Sequence, residues 1–429
     1  MRKFLFFVVF VTSAYHLHAQ SAFTELRFNQ RLSAGNYMAY SESSNCVQTP
    51  APAGKYPFYI SHYGRHGSRY HSKMRNYDLP WEVLSAADSQ NKLTPLGKEV
   101  LKQIAQMRQE AENRWGELTP LGIQQQRDII KRMKERFPQV FAGQAHVDAK
   151  STVIGRSILS METALLQLLS MNPLLHVTHD ASYLYMYYLD EDDKALTVLR
   201  QDSLAQQVFR HFVKQHDTGN QFLTRLFNDT KYIHQLKDVD AFSDLLFKLA
   251  STQQNTLMRD TSPLYRIYSN EEIYQYWLRD NAWWYVNYGA YTLNGGHQPY
   301  TQRNLLRKLI EDADSCIQQE KSCVQLRYGH DVVIMPLVCL LDLNGYGLAT
   351  DNLEELVEKE WINYKAIPMA ANLQIVFYRK DATDTDIVFK VLLNECEATL
   401  PLESDIKPYY HWSDFRKYYL NKLEQYEKQ

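Results

Sequence analysis

Tyr63-Gly64-Arg65-His66-Gly67-Ser68-Arg69-Tyr70 sets one histidine among two arginines and two glycines, directly after an apolar run. Guanidinium groups present planar donor forks that match phosphate oxygens, and they stay protonated at physiological pH. The cluster is therefore built to hold an anion. The imidazole has a different capability, because a neutral ring nitrogen can attack phosphorus and divide one hard displacement into two easier ones. Glycine on either side lets the backbone turn sharply and approach a ligand. A chance Arg-His-Gly on a surface loop is the competing reading, and the flanking sequence weighs against it. Tyr56-Pro57-Phe58-Tyr59-Ile60-Ser61 predicts a short buried strand from its aromatic and apolar content. The cluster then falls at the strand's carboxyl end, the edge where open α/β sheets bind ligands.

Downstream, Leu93-Thr94-Pro95-Leu96-Gly97 recurs as Leu118-Thr119-Pro120-Leu121-Gly122 within a helical pattern running from Lys92 to Phe141. Each Thr-Pro pair predicts a helix start, with threonine as cap and proline at the first helical position. No third copy follows, so the repeat marks two similar starts and no solenoid. Ala145-His146-Val147-Asp148 reads as a second strand, and Arg156 lies at a turn before an apolar helix from Ile158 to Leu169. An arginine at a helix amino terminus could complete an anion pocket, although a surface arginine capping a loop is the plainer alternative.

Residues 170–300 differ in character, combining helical patterns with aromatic clusters such as Tyr183 to Tyr188 and Trp283-Trp284-Tyr285. They read as a helical cap inserted into the core, with the aromatics as packing and Asp190-Glu191-Asp192-Asp193 as a solvated turn. Strand and helix alternation then returns. Val324 to Tyr328 predicts a strand leading into Gly329-His330-Asp331, followed by an apolar helix from Val332 to Leu343. Leu373 to Tyr378 and Ile387 to Leu393 predict a hairpin joined by the polar Lys380 to Thr385, and Asp414 to Glu427 an amphipathic carboxyl-terminal helix.

The expected architecture is a three-layer α/β/α core with a mainly parallel sheet, made from residues 20–169 and 301–429, plus the all-helical insertion. The 429 residues, 45% hydrophobic and 22% charged, can bury a sizeable core. A net charge of −2 provides no global basic field, which argues against nucleic acid as a partner. Residues 1–19 carry Arg2 and Lys3, an apolar run from Phe4 to Val11, and small and polar residues up to Ala19. That order predicts a signal peptide. The run is much shorter than the roughly 20 residues a membrane span needs. A chain with no membrane span, periplasmic or secreted, is the expectation. Of the five cysteines, Cys316 and Cys323 are near enough in sequence to bridge in such a compartment, Cys339 reads as a buried hydrophobe, and an odd count leaves a free thiol.

The three separated motifs, Arg65-His66-Gly67-Ser68-Arg69, Ser151-Thr152 through Arg156 to Ser160, and Gly329-His330-Asp331, resemble the histidine acid phosphatase family. Ala370-Ala371-Asn372-Leu373-Gln374 and Leu392-Leu393-Asn394-Glu395 are similar to the branch acting on inositol polyphosphates. That branch commonly has His-Ala-Glu where this chain has His330-Asp331, as in bacterial and fungal acid phosphatases and phytases. The resemblance implies that His66 takes the phosphoryl group and Asp331 is the proton donor, with Arg65, Arg69, Arg156 and His330 clamping the phosphate oxygens. It implies a phosphomonoester substrate, inositol polyphosphates (phytate) foremost, and neither metal nor organic cofactor. Other small phosphomonoesters, an anion-binding module without catalysis, and a mutase stay open as rivals. A metal held by His62, His66 and His71 is disfavoured by the arginines beside His66.

Overall fold

The computed structural model describes residues 22–41, 46, 48–191 and 193–428. The predicted signal peptide therefore lies outside the described residues. The predicted strand after Lys55 is β1, Tyr56–Arg65. After it come β2 (His146–Ser151), β3 (His176–Ala181), β4 (Cys323–Gly329), β5 (Asn372–Arg379), β6 (Val388–Leu393), β7 (Cys396–Ala398) and β8 (Tyr410–His411). They form a mixed sheet in the order β3-β2-β4-β1-β5-β6-β7, with β8 beside β6. β3, β2, β4 and β1 run parallel. β5 is antiparallel to β1 and forms the predicted hairpin with β6.

Ten helices of ten residues or more are described: α1 (Arg75–Ser89), α2 (Pro95–Glu110), α3 (Pro120–Arg136), α4 (Gly155–Met171), α5 (Ser203–Gln215), α6 (Val239–Gln253), α7 (Asn270–Tyr288), α8 (Arg303–Ile317), α9 (Asp331–Leu340) and α10 (Trp412–Glu427). Strand alternation sends the two faces to different layers. Ile60, Val324, Leu326 and Val376 pack on Ile130, Met133, Leu165 and Leu168 of α3 and α4. Tyr59, Ile375, Phe377 and Phe389 pack on the opposite side with Leu309, Leu337 and Phe415 from α8 to α10. β1 is central and covered on both faces, so all of it after Tyr56 is buried.

A third apolar cluster joins Tyr77, Leu84, Val100, Ile104 and Met107 of α1 and α2 to Phe222, Leu226, Phe242, Leu246 and Ile273. This helical layer thus draws on two stretches of chain. The segment expected to be all helical from residue 170 opens instead with the strand β3. Its residues, rich in His, Thr and Asp, form a largely exposed edge and carry no apolar alternation that could announce it. The predicted aromatic packing divides: Tyr188, Trp284 and Tyr285 are buried, whereas Tyr183, Tyr187 and Trp283 are exposed.

The disulfide joins Cys46 and Cys396, with Cα atoms 4.9 Å apart. Cys316 and Cys323, the expected pair, are buried and free, like Cys339. Cys316 lies in the last turn of α8 and Cys323 opens β4, and both face the apolar core. Sequence nearness could not reveal that the β7 end of the sheet lies against Cys46. Among the described residues no helix is long and apolar enough to cross a membrane.

Candidate active site

β1 and β4 are parallel neighbours, with Arg65 opposite Gly329. Their carboxyl ends therefore deliver both predicted motifs to one spot. His66 N–H donates to Gly329 O at 3.0 Å, and His330 and Asp331 follow at once, Asp331 as the first residue of α9. The His66 and His330 rings lie 5.6 Å apart. Arg156 stands in the first turn of α4, because that helix begins at Gly155 and not at the Ile158 expected from sequence.

His66 Nδ1 is 2.9 Å from Gly67 O. A carbonyl only accepts, so Nδ1 carries the ring proton and Nε2 keeps its lone pair. Burial first, then the charges of Arg65, Arg156 and Arg69, holds this imidazole far below its ordinary range. It is neutral. His330 is pushed down to about 4 for the same reasons, burial and then Arg156, although Asp331 opposes the shift. Its Nε2 lies 3.1 Å from Thr152 Oγ1 and 3.7 Å from Asp190 Oδ2.

Arg65, Arg69 and Arg156 each hold a buried Nε without a hydrogen-bond partner. Such a donor is costly to bury unless an acceptor meets it. Burial, with the Arg69 guanidinium adding to it, pushes Arg65 and Arg156 down to about 10. Three crowded cations with unspent donors make a pocket that an anion would relieve.

Asp331 Oδ2 forms an ion pair with Arg65 Nη2 at 2.6 Å and accepts from Asn36 Nδ2 at 2.8 Å, and Oδ1 accepts from Val332 N at 3.0 Å. Burial works to raise this carboxyl. Arg65, the Asn36 bond, Arg69 and His330 outweigh it and hold the group below the usual carboxylate range.

The recurring Leu-Thr-Pro-Leu-Gly stretch explains how the loop is fixed. Thr119 and Thr94 cap their helices by accepting from Gly122 N and Gly97 N, as predicted. Thr119 N–H donates to Ser68 O at 2.9 Å, and a Cβ on Gly122 would collide with that same carbonyl. Thr94 N–H donates to Leu226 O at 2.9 Å, and Gly97 allows that carbonyl the same close approach. One device is used twice, once to seat the His66 loop on α3 and once to seat the helical layer. Gly67 N–H donating to Ser160 Oγ and Ser68 N–H donating to Gln125 Oε1 complete the loop's support.

All six site residues expected from sequence thus converge at the carboxyl edge of β1 and β4. Two neighbours escaped notice. Asn36 is 295 positions from its partner Asp331, with no local motif to flag it. Asp190 belongs to the acidic run read as a solvated turn, yet that turn docks on the core, where Tyr63 Oη donates to Leu189 O. His62 and His71 turn away from His66, His62 toward Tyr328 and His71 toward Tyr37 and Tyr77. Among the described residues no group of three His, Cys, Asp or Glu is arranged to hold a metal ion.

A buried neutral histidine among three arginines at the edge of an α/β sheet suits a phosphoryl group, and the family match makes the class that of the phosphomonoester hydrolases. The sequence pattern of the histidine phosphatase superfamily (branch 2) matches residues 64–394, and the chain belongs to that family. Solved structures with the same fold include the multiple inositol polyphosphate phosphatase of Bifidobacterium longum. Its complex with inositol hexasulfate is 15% identical at a TM-score of 0.75, over 90% of this chain and 96% of that one. Its complex with phosphate gives 14% and 0.76, over 91% and 98%. The phytase from D. castellii is 14% identical at a TM-score of 0.65, over 92% of this chain and 85% of that one. Among curated proteins none matches the chain by sequence.

Proposed function

We propose that this phosphatase hydrolyses inositol polyphosphates, outside the cytoplasm, through a phosphohistidine at His66. The observation that carries the reading is the pairing of an unprotonated His66 Nε2 with three buried, unpartnered arginine Nε donors. Arg65, Arg69 and Arg156, with His330, take the nonbridging oxygens. Nε2 attacks phosphorus, the ester P–O bond breaks, and the Asp331 proton passes to the departing oxygen. Asp331, now a carboxylate, takes a proton from water as that water attacks phosphorus. The N–P bond breaks, and inorganic phosphate leaves with His66 neutral again. Positioning and charge supply most of the rate in such a displacement.

In the free site Arg65 holds Asp331 in its ionised form. A bound phosphate competes for Arg65 and adds negative charge beside the carboxyl, and both effects raise its proton affinity. Activity is therefore expected to favour mildly acidic pH and to fall toward pH 9. The polyphosphate reading draws support from a cavity of about 220 Å³ that includes Tyr37, Lys248 and Arg279. Tyr37 also stacks on Arg69, 5.3 Å from the guanidinium, so the cavity adjoins the clamp and offers cations to further phosphates. Asp244 and Asp280 line it too and temper that charge. Export rests on the sequence of residues 1–19, and the inositol substrates on the sequence resemblance and on what the Bifidobacterium longum enzyme binds.

Phosphate release from inositol hexakisphosphate and from a simple aryl phosphate at pH 5, with His66→Ala as control, tests this. Preference for the inositol ester, lost in the control, is the expected result. Release from the aryl ester alone would leave a general acid phosphatase, and release undiminished by His66→Ala would overturn the role of His66.

A further inference from the structure

Residues Gln30–Tyr37 form a short helical segment that reaches the site from far upstream in the sequence. Its path is fixed on both sides. Gly35 takes φ 56°, and a Cβ there would lie 2.6 Å from Asp280 Oδ2 of α7. Tyr37 O accepts from Asn255 Nδ2 at 2.7 Å, and Met38 O accepts from Met369 N at 2.8 Å. Asn36, buried between these anchors, makes two contacts with the chemistry. Its side-chain N–H donates to Asp331 Oδ2, and its carbonyl accepts from Arg65 Nη1.

A carboxylate oxygen that faces a cation and also accepts an amide N–H holds a proton less well than one spared the cation. Oδ2 is in that state, with the Arg65 ion pair and the Asn36 hydrogen bond, whereas Oδ1 accepts only from Val332 N–H. When Arg65 turns to a phosphate, Asn36 is the donor that stays on Oδ2. We propose that Asn36 is a positioning residue of the reaction: it keeps Oδ2 occupied and the carboxyl plane fixed, so that the proton delivered to the leaving group travels on Oδ1. This rests on Asp331 being the proton donor. Asp331 also feels Arg69 and His330, with Arg156 from α4 and Asp280 and Tyr288 from α7. Asn36 differs from all of these in having no titratable group, so it directs the carboxyl at every pH without competing for the phosphate.

The test compares Asn36→Leu and Asn36→Asp with the wild type on an alkyl and an activated aryl phosphate across pH. Losing one hydrogen bond to the ionised form moves the alkaline limb of kcat for the alkyl ester up by about one pH unit in Asn36→Leu. Asn36→Asp, close to isosteric and adding a like charge, moves it further in the same direction. The aryl ester, whose leaving group needs no proton, keeps its kcat/KM within a few-fold. A merely structural role would lower both esters together and leave the limb in place, and that result overturns the proposal even where Asn36→Leu fails to fold, because Asn36→Asp is read independently. Asp331→Asn separates the two levels: if it leaves the alkyl ester unaffected, Asp331 is not the donor and the underlying reading fails. If it abolishes alkyl turnover while both Asn36 variants keep the wild-type limb, only the role of Asn36 fails.

Discussion

At the scale of single residues, the site is a set of groups forced into useful states by burial. His66 is neutral because it is buried among cations, and its tautomer is set by Gly67 O. Asp331 is poised between burial, which favours its acid form, and Arg65 with Asn36, which favour the carboxylate. A double role for Asp331 makes a sharp prediction for Asp331→Asn. A pre-steady-state burst of phenol, one per active site, is expected from an activated aryl phosphate, because attack by His66 is intact while hydrolysis of the phosphoenzyme is slowed. An alkyl phosphate is expected to give no burst. Bursts from both esters, or from neither, would contradict the assignment. These residues were legible in the sequence because Arg65, His66, Arg69, His330 and Asp331 fall in short local motifs. Asn36 was not, because its meaning comes from a contact across 295 positions.

At the scale of elements, catalysis depends on how closely the His66 loop sits on α3. Gly122→Ala would drive a methyl into Ser68 O, and Gly97→Ala would do the same at Leu226 O. Each is expected to destabilise the fold by about 1–3 kcal/mol, as overpacking does. Only Gly122→Ala is expected to lower kcat substantially, by displacing the loop, whereas Gly97→Ala should turn over normally below its melting temperature. Equal kcat in the two variants would show that the loop tolerates movement. The strands and helix starts were legible here because capping and continuous apolar runs are local signals. β3 and the Cys46–Cys396 bridge were not, since an exposed polar edge strand has no hydrophobic period and a disulfide partner is chosen by the fold.

At the scale of the whole molecule, buried histidines set a limit on acid tolerance. Burial pushes His62 and His71 down to about 3, with Arg327 acting on the first and Arg69 on the second. Their folded pKa values lie below the unfolded value, so the unfolded chain binds more protons between pH 6.5 and about 3. Stability is then fully present above 6.5 and is lost as pH falls toward 3. At pH 5 each histidine is expected to remove about 2 kcal/mol. The melting temperature should fall from pH 7 to pH 5, and inorganic phosphate should restore part of it by binding the arginines of the folded state. A melting temperature that rises on acidification would contradict this account of the core.

The central claim is that phosphate is carried on His66. Asp331→Asn mixed with an activated aryl phosphate, quenched in alkali and mapped by mass, tests it most directly. The expected result is one phosphoryl group per chain on His66, absent from the His66→Ala, Asp331→Asn double variant. A phosphoryl group on another residue, or turnover by His66→Ala at the wild-type rate, would contradict it.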